Sequence, residues 1–135
     1  MEQKYEQTFV LIKPDALERF LVHKILEKIE NMQLEIVATK SWYDTPRDLI
    51  ELLYRDHREK PYFRKNIEFV SKGRSIMMIV QGFNCINGIR NIIGKRGQVG
   101  TLRGTYCNDD TENLVHASDS PEAAEFELNL FKNHF

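Results

Sequence analysis

The sequence predicts an α+β fold, a four-stranded antiparallel sheet with helices packed on one of its faces. Four apolar or β-branched runs alternate with segments whose apolar residues recur at helical spacing, in the order β-α-β-α-β-α-β. Prolines and cap residues punctuate the joints between them. The length, 135 residues at 41% hydrophobic composition, suits one domain spanning 1–135 with a sizeable core.

TFVLIK, residues 8–13, reads as a strand stopped by Pro14. Val10 and Ile12 face one side, and Phe9, Leu11 and Lys13 the other. Residues 18–31 place Val22, Ile25, Leu26 and Ile29 at helical spacing. LEIVATKSW, 34–42, is a second strand. DTPRDLIELLYRDH, 44–57, begins with turn and cap residues and continues as a helix. Pro61 breaks that helix, and residues 62–70 form another. RSIMMIVQG, 74–82, is a continuous apolar run suited to the centre of the sheet. A helix at 84–93 leads into the glycine-rich stretch GKRGQVG, 94–100. A short strand at 114–116 follows, and then the last helix. Ser120 is a good N-cap for that helix, and Pro121 at its first position lacks only a donor the helix would not use. The layout is split-βαβ, or ferredoxin-like. It hosts enzymes, RNA-binding modules and small-molecule sensors, so it does not choose a function.

Composition narrows the function classes. Nineteen basic and 20 acidic side chains nearly cancel, so no global field draws nucleic acid or anionic membrane, and strong nucleic-acid binding is not expected. The strands also lack the basic-Gly-aromatic pattern of an RNA-recognition sheet. Cys85 and Cys107 do not form a metal-ligand cluster and suit free thiols in a reducing compartment. MEQKYEQ is charged and runs straight into a strand, and no apolar run approaches membrane-spanning length. A cytoplasmic protein is the expectation.

NLVHASDSPEAAEFE, 113–127, places His116 at a strand-to-helix junction, where a side chain can be held firmly yet face a cleft. Lys13 ends the first strand, Tyr54 and His57 close a helix, Arg90 precedes the glycine-rich stretch, and Arg103 lies in GTLRG. Singly, each has a plain structural explanation. Together they suit a polyphosphate: Arg offers a planar fork, Lys a compact charge, and neutral imidazole a nucleophile near neutral pH. Glu127 is the carboxylate that could fix the imidazole tautomer.

TFVLIKPDALER, GTLRG and NLVHASDS resemble, in order and spacing, the signature segments of the nucleoside diphosphate kinase family, over Thr8 to Phe131. The resemblance implies ping-pong transfer of the γ-phosphate of a nucleoside triphosphate to a nucleoside or deoxynucleoside diphosphate. It makes His116 the phosphorylated nucleophile and Glu127 its orienting carboxylate. Lys13, Tyr54, Arg90, Arg103 and Asn113 would hold phosphates and ribose, with Lys13 and Tyr54 grouped with the catalytic pair. His57 would lie near the α-phosphate, and Tyr62 would stack on the base. Mg²⁺ would enter with the nucleotide, held by phosphate oxygens and water, with no protein metal site. Family members form hexamers or tetramers, so a homo-oligomer is expected, with a hexamer favoured. The alternative is a non-catalytic nucleotide- or RNA-binding module of the same fold.

Three departures from the family stand out. The loop between Gly94 and Gly100 is short, and Arg96 has no residue-by-residue match there. Asn66 and Asp110 replace apolar residues expected around the base. The short loop together with Asn66 resembles the family members carried by giant DNA viruses. At the base slot, the Asn66 amide would offer both a donor and an acceptor.

Overall fold

The computed structural model describes residues 3–135. Strand β1 (Tyr5–Ile12) pairs antiparallel with β3 (Arg74–Phe83) on one side and β4 (Val115–Ala117) on the other. Strand β2 (Glu35–Tyr43) lies on the far edge, giving the order β2-β3-β1-β4. The fold is the α+β, ferredoxin-like sheet read from the sequence.

Helices cover both faces, not one. The last five residues of β1, Thr8 to Ile12, are all buried. A run without polar alternation gives a strand no face to turn to water. Val10 and Ile12 join Met78 and Val80 in one core layer, under α2 (Val22–Asn31) and α5 (Cys85–Ile93), through Ile25, Ile29, Ile86 and Ile89. Phe9, Leu11 and Met77 form the opposite layer. It is covered by α3 (Arg47–Leu53), α4 (Phe63–Lys72) and α7 (Pro121–Phe131), through Ile50, Leu53, Ile67, Val70 and Phe131. Phe9 and Phe131 stack with centroids 4.7 Å apart and planes 6° apart. That contact seats α7 on β1, and removing either ring would cost about 3–5 kcal/mol.

Three boundaries move for local reasons. The helix expected over 18–31 is two: Pro14 opens α1 (Pro14–Glu18), and Phe20, at φ 57°, breaks the chain before α2. GTLRG contains a helix the sequence pattern missed, α6 (Leu102–Tyr106). Its N-cap, Thr101, accepts the Gly104 N–H at 3.0 Å. Gly104 has no room for a side chain, because a Cβ would collide with the Gln98 carbonyl. The strand expected at 114–116 starts one residue later, because Leu114 is committed to a tight turn.

Candidate active site

Lys13 follows the last residue of β1, and β4 lies beside that strand with Leu11 opposite His116. Leu114 joins them. It is buried at φ 78°, and the Val115 N–H bonds back to the Asn113 carbonyl at 3.0 Å, closing a three-residue turn. Turns of this hand are strained and persist only where the surroundings over-determine them, at a cost on the order of 1–3 kcal/mol. Here the Lys13 N–H donates to the Leu114 carbonyl at 2.9 Å, and the Leu114 N–H donates to Asp15 Oδ2 at 3.0 Å. Arg103 Nε donates to the Asn113 carbonyl at 3.2 Å. The turn thereby fixes where β4 presents His116.

His116 Nε2 lies 2.8 Å from Glu127 Oε1, and that oxygen also accepts the Ser118 hydroxyl at 2.9 Å. Glu127 is buried on α7. A carboxylate accepts, so Nε2 carries the hydrogen and Nδ1 keeps its lone pair. The nitrogen not tied to Glu127 keeps the lone pair that a nucleophile needs.

Cations line the same cavity as His116. Arg103 donates a second hydrogen bond to the Val115 carbonyl at 2.6 Å, and Arg90 donates to the Ala117 carbonyl at 3.3 Å. Each guanidinium braces β4 and retains further N–H groups for an anion. Burial, and then the Arg90 charge, pull Arg103 below the ordinary arginine range. Lys13 is 1% exposed, and burial above all brings its ammonium down to about 7. Burial also raises the Asp15 carboxyl.

Aromatic groups form the remaining wall. Tyr54 meets the His116 ring edge-on at 5.1 Å and the His57 ring at 6.1 Å. Its hydroxyl is buried without a hydrogen-bond partner among the described residues, and burial raises it far above the ordinary phenol range, so it stays protonated. His57 Nδ1 lies 2.9 Å from the Tyr62 hydroxyl. Burial, and then proximity to His116, lower the His57 imidazole.

A cavity of about 280 Å³ gathers all these groups. Every site residue read from the sequence lines it: Lys13, Tyr54, His57, Tyr62, Asn66, Arg90, Arg103, Asn113, His116 and Glu127. Asp110 is there too, whereas Arg96 is exposed on its loop. Asn66 differs from expectation. It is 3% exposed, and its oxygen already accepts from Lys13 Nζ at 2.7 Å, so a base would share that oxygen with the lysine. Sequence reading passed over Asp15, Ser118 and Asp119. The signal lay beside the chosen residues, in Lys-Pro-Asp and in His-Ala-Ser-Asp.

An imidazole with one nitrogen tied back, in a cavity lined by cations, has the chemistry of a phosphotransferase site. The comparisons with known proteins agree. A family model for nucleoside diphosphate kinase matches residues 6–135. The nucleoside diphosphate kinase of Acanthamoeba polyphaga mimivirus is 43% identical, over 93% of this chain and 92% of its own. That of Methanocaldococcus jannaschii is 42% identical over the same shares. Among solved structures, the Halobacterium salinarum enzyme in complex with CDP superposes with a TM-score of 0.87 at 32% identity, covering 95% of this chain and 88% of that one. The Aquifex aeolicus enzyme gives 0.86 at 32% identity, with 95% of each chain covered.

The chain belongs to the nucleoside diphosphate kinase family. It is a nucleotide-binding phosphotransferase, and the non-catalytic module is not favoured. Kinases of this kind act with a divalent metal. Among the described residues no helix is long and apolar enough to cross a membrane.

Proposed function

We propose that His116 Nδ1 attacks the γ-phosphorus of a nucleoside triphosphate. The N–P bond forms as the bond from phosphorus to the β–γ bridging oxygen breaks, and the nucleoside diphosphate leaves with that electron pair. A second nucleoside or deoxynucleoside diphosphate then takes the phosphoryl group by the reverse step. Glu127 keeps the Nε2 hydrogen throughout. Lys13, Arg90 and Arg103 bind the phosphoryl oxygens and stabilise their developing charge. The buried Tyr54 hydroxyl and Asn113 complete the phosphate and ribose contacts, His57 serves the α-phosphate, and Tyr62 offers the base a stacking face. The 2.8 Å contact between His116 and Glu127 is the observation that favours this reading, because it leaves Nδ1 as the free nucleophile.

Mg²⁺ fits as the divalent ion. Among the described residues no cluster of His, Cys, Asp or Glu could cage a metal, while Asp119 lines the cavity as an oxygen donor suited to the ion's water shell. The ion would neutralise charge on the phosphate oxygens that hold it. We read residues 1–135 as one catalytic domain, acting in the cytoplasm (a host's, if the source is viral) as a homo-oligomer, a hexamer before a tetramer. Mass photometry distinguishes the two assemblies. Incubation with γ-labelled ATP tests the chemistry: an acid-labile, base-stable phosphoprotein that NDP discharges is expected, and its absence overturns the mechanism.

A further inference from the structure

We propose that Asn66 is a positioning residue for Lys13: its amide oxygen holds the ammonium in the pocket and supports its charge without neutralising it. This deepens the phosphoryl-transfer reading and rests on it.

An ammonium has three hydrogens and no acceptor. Lys13 Nζ has three partners: Asn66 Oδ1 at 2.7 Å, the Thr111 carbonyl at 2.6 Å and Asn113 Oδ1 at 3.0 Å. All three are neutral oxygens. Among the described residues no carboxylate comes within ion-pair distance of Nζ, and the neighbouring Asp15 uses Oδ2 on the Leu114 N–H. A carboxylate at 3 Å would compete with an incoming phosphate for the lysine charge. A tripod of carbonyl dipoles orients the same charge and leaves it for the substrate.

Asn66 is the tripod member that this chain's departure from the family supplies. An apolar side chain there would leave one buried N–H without an acceptor, at a site 1% exposed. With burial already bringing the ammonium down to about 7, losing one acceptor would lower it further. Asn66 also lies one helical turn beyond Tyr62, so a single segment carries the base platform and the lysine support. The other charged or titratable groups acting on Lys13 are Asp15 on α1, Arg103 on α6, Cys107 and Asp109 in the loop after α6, and Tyr54 after α3, whose ring lies 5.8 Å from Nζ. Of these, Tyr54 also faces Asn66, but burial keeps its hydroxyl protonated in any Asn66 variant; the others have no contact with Asn66 to lose.

The test follows Lys13 directly, in nucleotide-free full-length protein with ¹³Cε-labelled lysines, the Lys13 signal being assigned by its loss in Lys13→Arg. In Asn66→Leu the titration midpoint should fall. In Asn66→Asp it should rise by about 1–3 pH units, because a carboxylate would replace the amide at the same position. The basic limb of the kcat profile should move the same way in each variant, and kcat should change more than KM. A mere packing role would change Tm and leave the midpoint in place. Coincident midpoints in wild type and Asn66→Asp overturn the proposal even if the leucine variant does not fold. The titration needs no phosphoenzyme, so its outcome is separate from that of the labelled-ATP assay.

Discussion

His116 on β4 and Lys13 just past the end of β1 share one cavity, but they are supported by groups of different charge. The imidazole is oriented by a buried carboxylate, Glu127, at 2.8 Å. The ammonium is held by three neutral oxygens. The difference matches the roles proposed for the two side chains. A nucleophile gains from a partner that fixes its tautomer and stabilises the positive charge it develops on attack. A phosphate-binding cation loses by pairing, because its partner must be displaced before substrate is held. Burial then acts on the two differently. Glu127 keeps its partners while buried, whereas Lys13 bears a desolvation that the nearby Asp15 charge offsets only in part.

Removing the proposed nucleophile is the severest way to break this contrast. His116→Ala should abolish phosphoenzyme formation and lower turnover on the order of 10⁴-fold or more, with the fold retained. NDP-dependent transfer surviving in that variant would overturn the assignment. Lys13→Met comes next. It should lower turnover by roughly 10²-fold, as expected for losing a charge that binds the transferring phosphate. It also isolates the ionisation. The unfolded chain holds the lysine proton up to pH 10.5, and the folded one only to about 7. Between those values the unfolded state binds more protons, so wild type should gain stability over Lys13→Met as pH rises. The slope should approach about 1.4 kcal/mol per pH unit. Denaturant unfolding of both proteins at pH 6, 7.5 and 9 measures this, and a pH-independent difference would mean that the ammonium is not desolvated.

Glu127→Gln sharpens the other half of the comparison. The amide keeps the shape but loses the charge, and it can turn its NH₂ toward the ring. Orienting partners of this sort typically contribute ten- to a hundredfold, so kcat should fall by about that factor while NDP affinity holds. Rapid-quench measurement of the phosphorylation half-reaction gives the number directly. An unchanged rate would reduce Glu127 to a packing residue.

How much of this was legible beforehand depends on the kind of information involved. Strands and most helices follow from local period, and the junction holding His116 follows from Leu-Val before it and Ser-Pro after it. The position of Lys13 was legible as a strand end; its neutral surroundings were not. Those partners lie 53, 98 and 100 residues away along the chain, and two are loop groups brought over by α6 and the Leu114 turn. The turn itself gave no signal, because a leucine at φ 78° is held by contacts from Lys13, Asp15 and Arg103, not by local preference. Helices on both faces were implicit in the four successive apolar residues of β1, Phe9 to Ile12, but the sheet's connections had to be seen first. Asn66 was read as a base contact from the family position it occupies; its bond to Lys13, 53 residues away, had no signal in the sequence.

The smallest expected effect tests the aromatic wall. The Tyr62 hydroxyl and His57 Nδ1 are 2.9 Å apart. Burial and His116 lower the His57 imidazole from its ordinary 6.5, so near neutral pH it is uncharged, and its tautomer decides which nitrogen can donate. A hydroxyl donating to Nδ1 places the hydrogen on Nε2, where it can reach a phosphate oxygen. Tyr62→Phe keeps the stacking face and removes that constraint. One neutral hydrogen bond contributes about 0.5–1.5 kcal/mol, so KM for every NDP should rise roughly two- to tenfold, with kcat and base preference unchanged. Acid should erase the difference, because imidazolium carries hydrogens on both nitrogens and donates from Nε2 whatever faces Nδ1. Steady-state kinetics across an NDP panel over a pH series, with ¹⁵N spectra of His57 reporting its protonation at each pH, make the comparison. A base-dependent change with the His57 spectrum unmoved would show that the hydroxyl contacts the base, and that the wall and the phosphate site act separately.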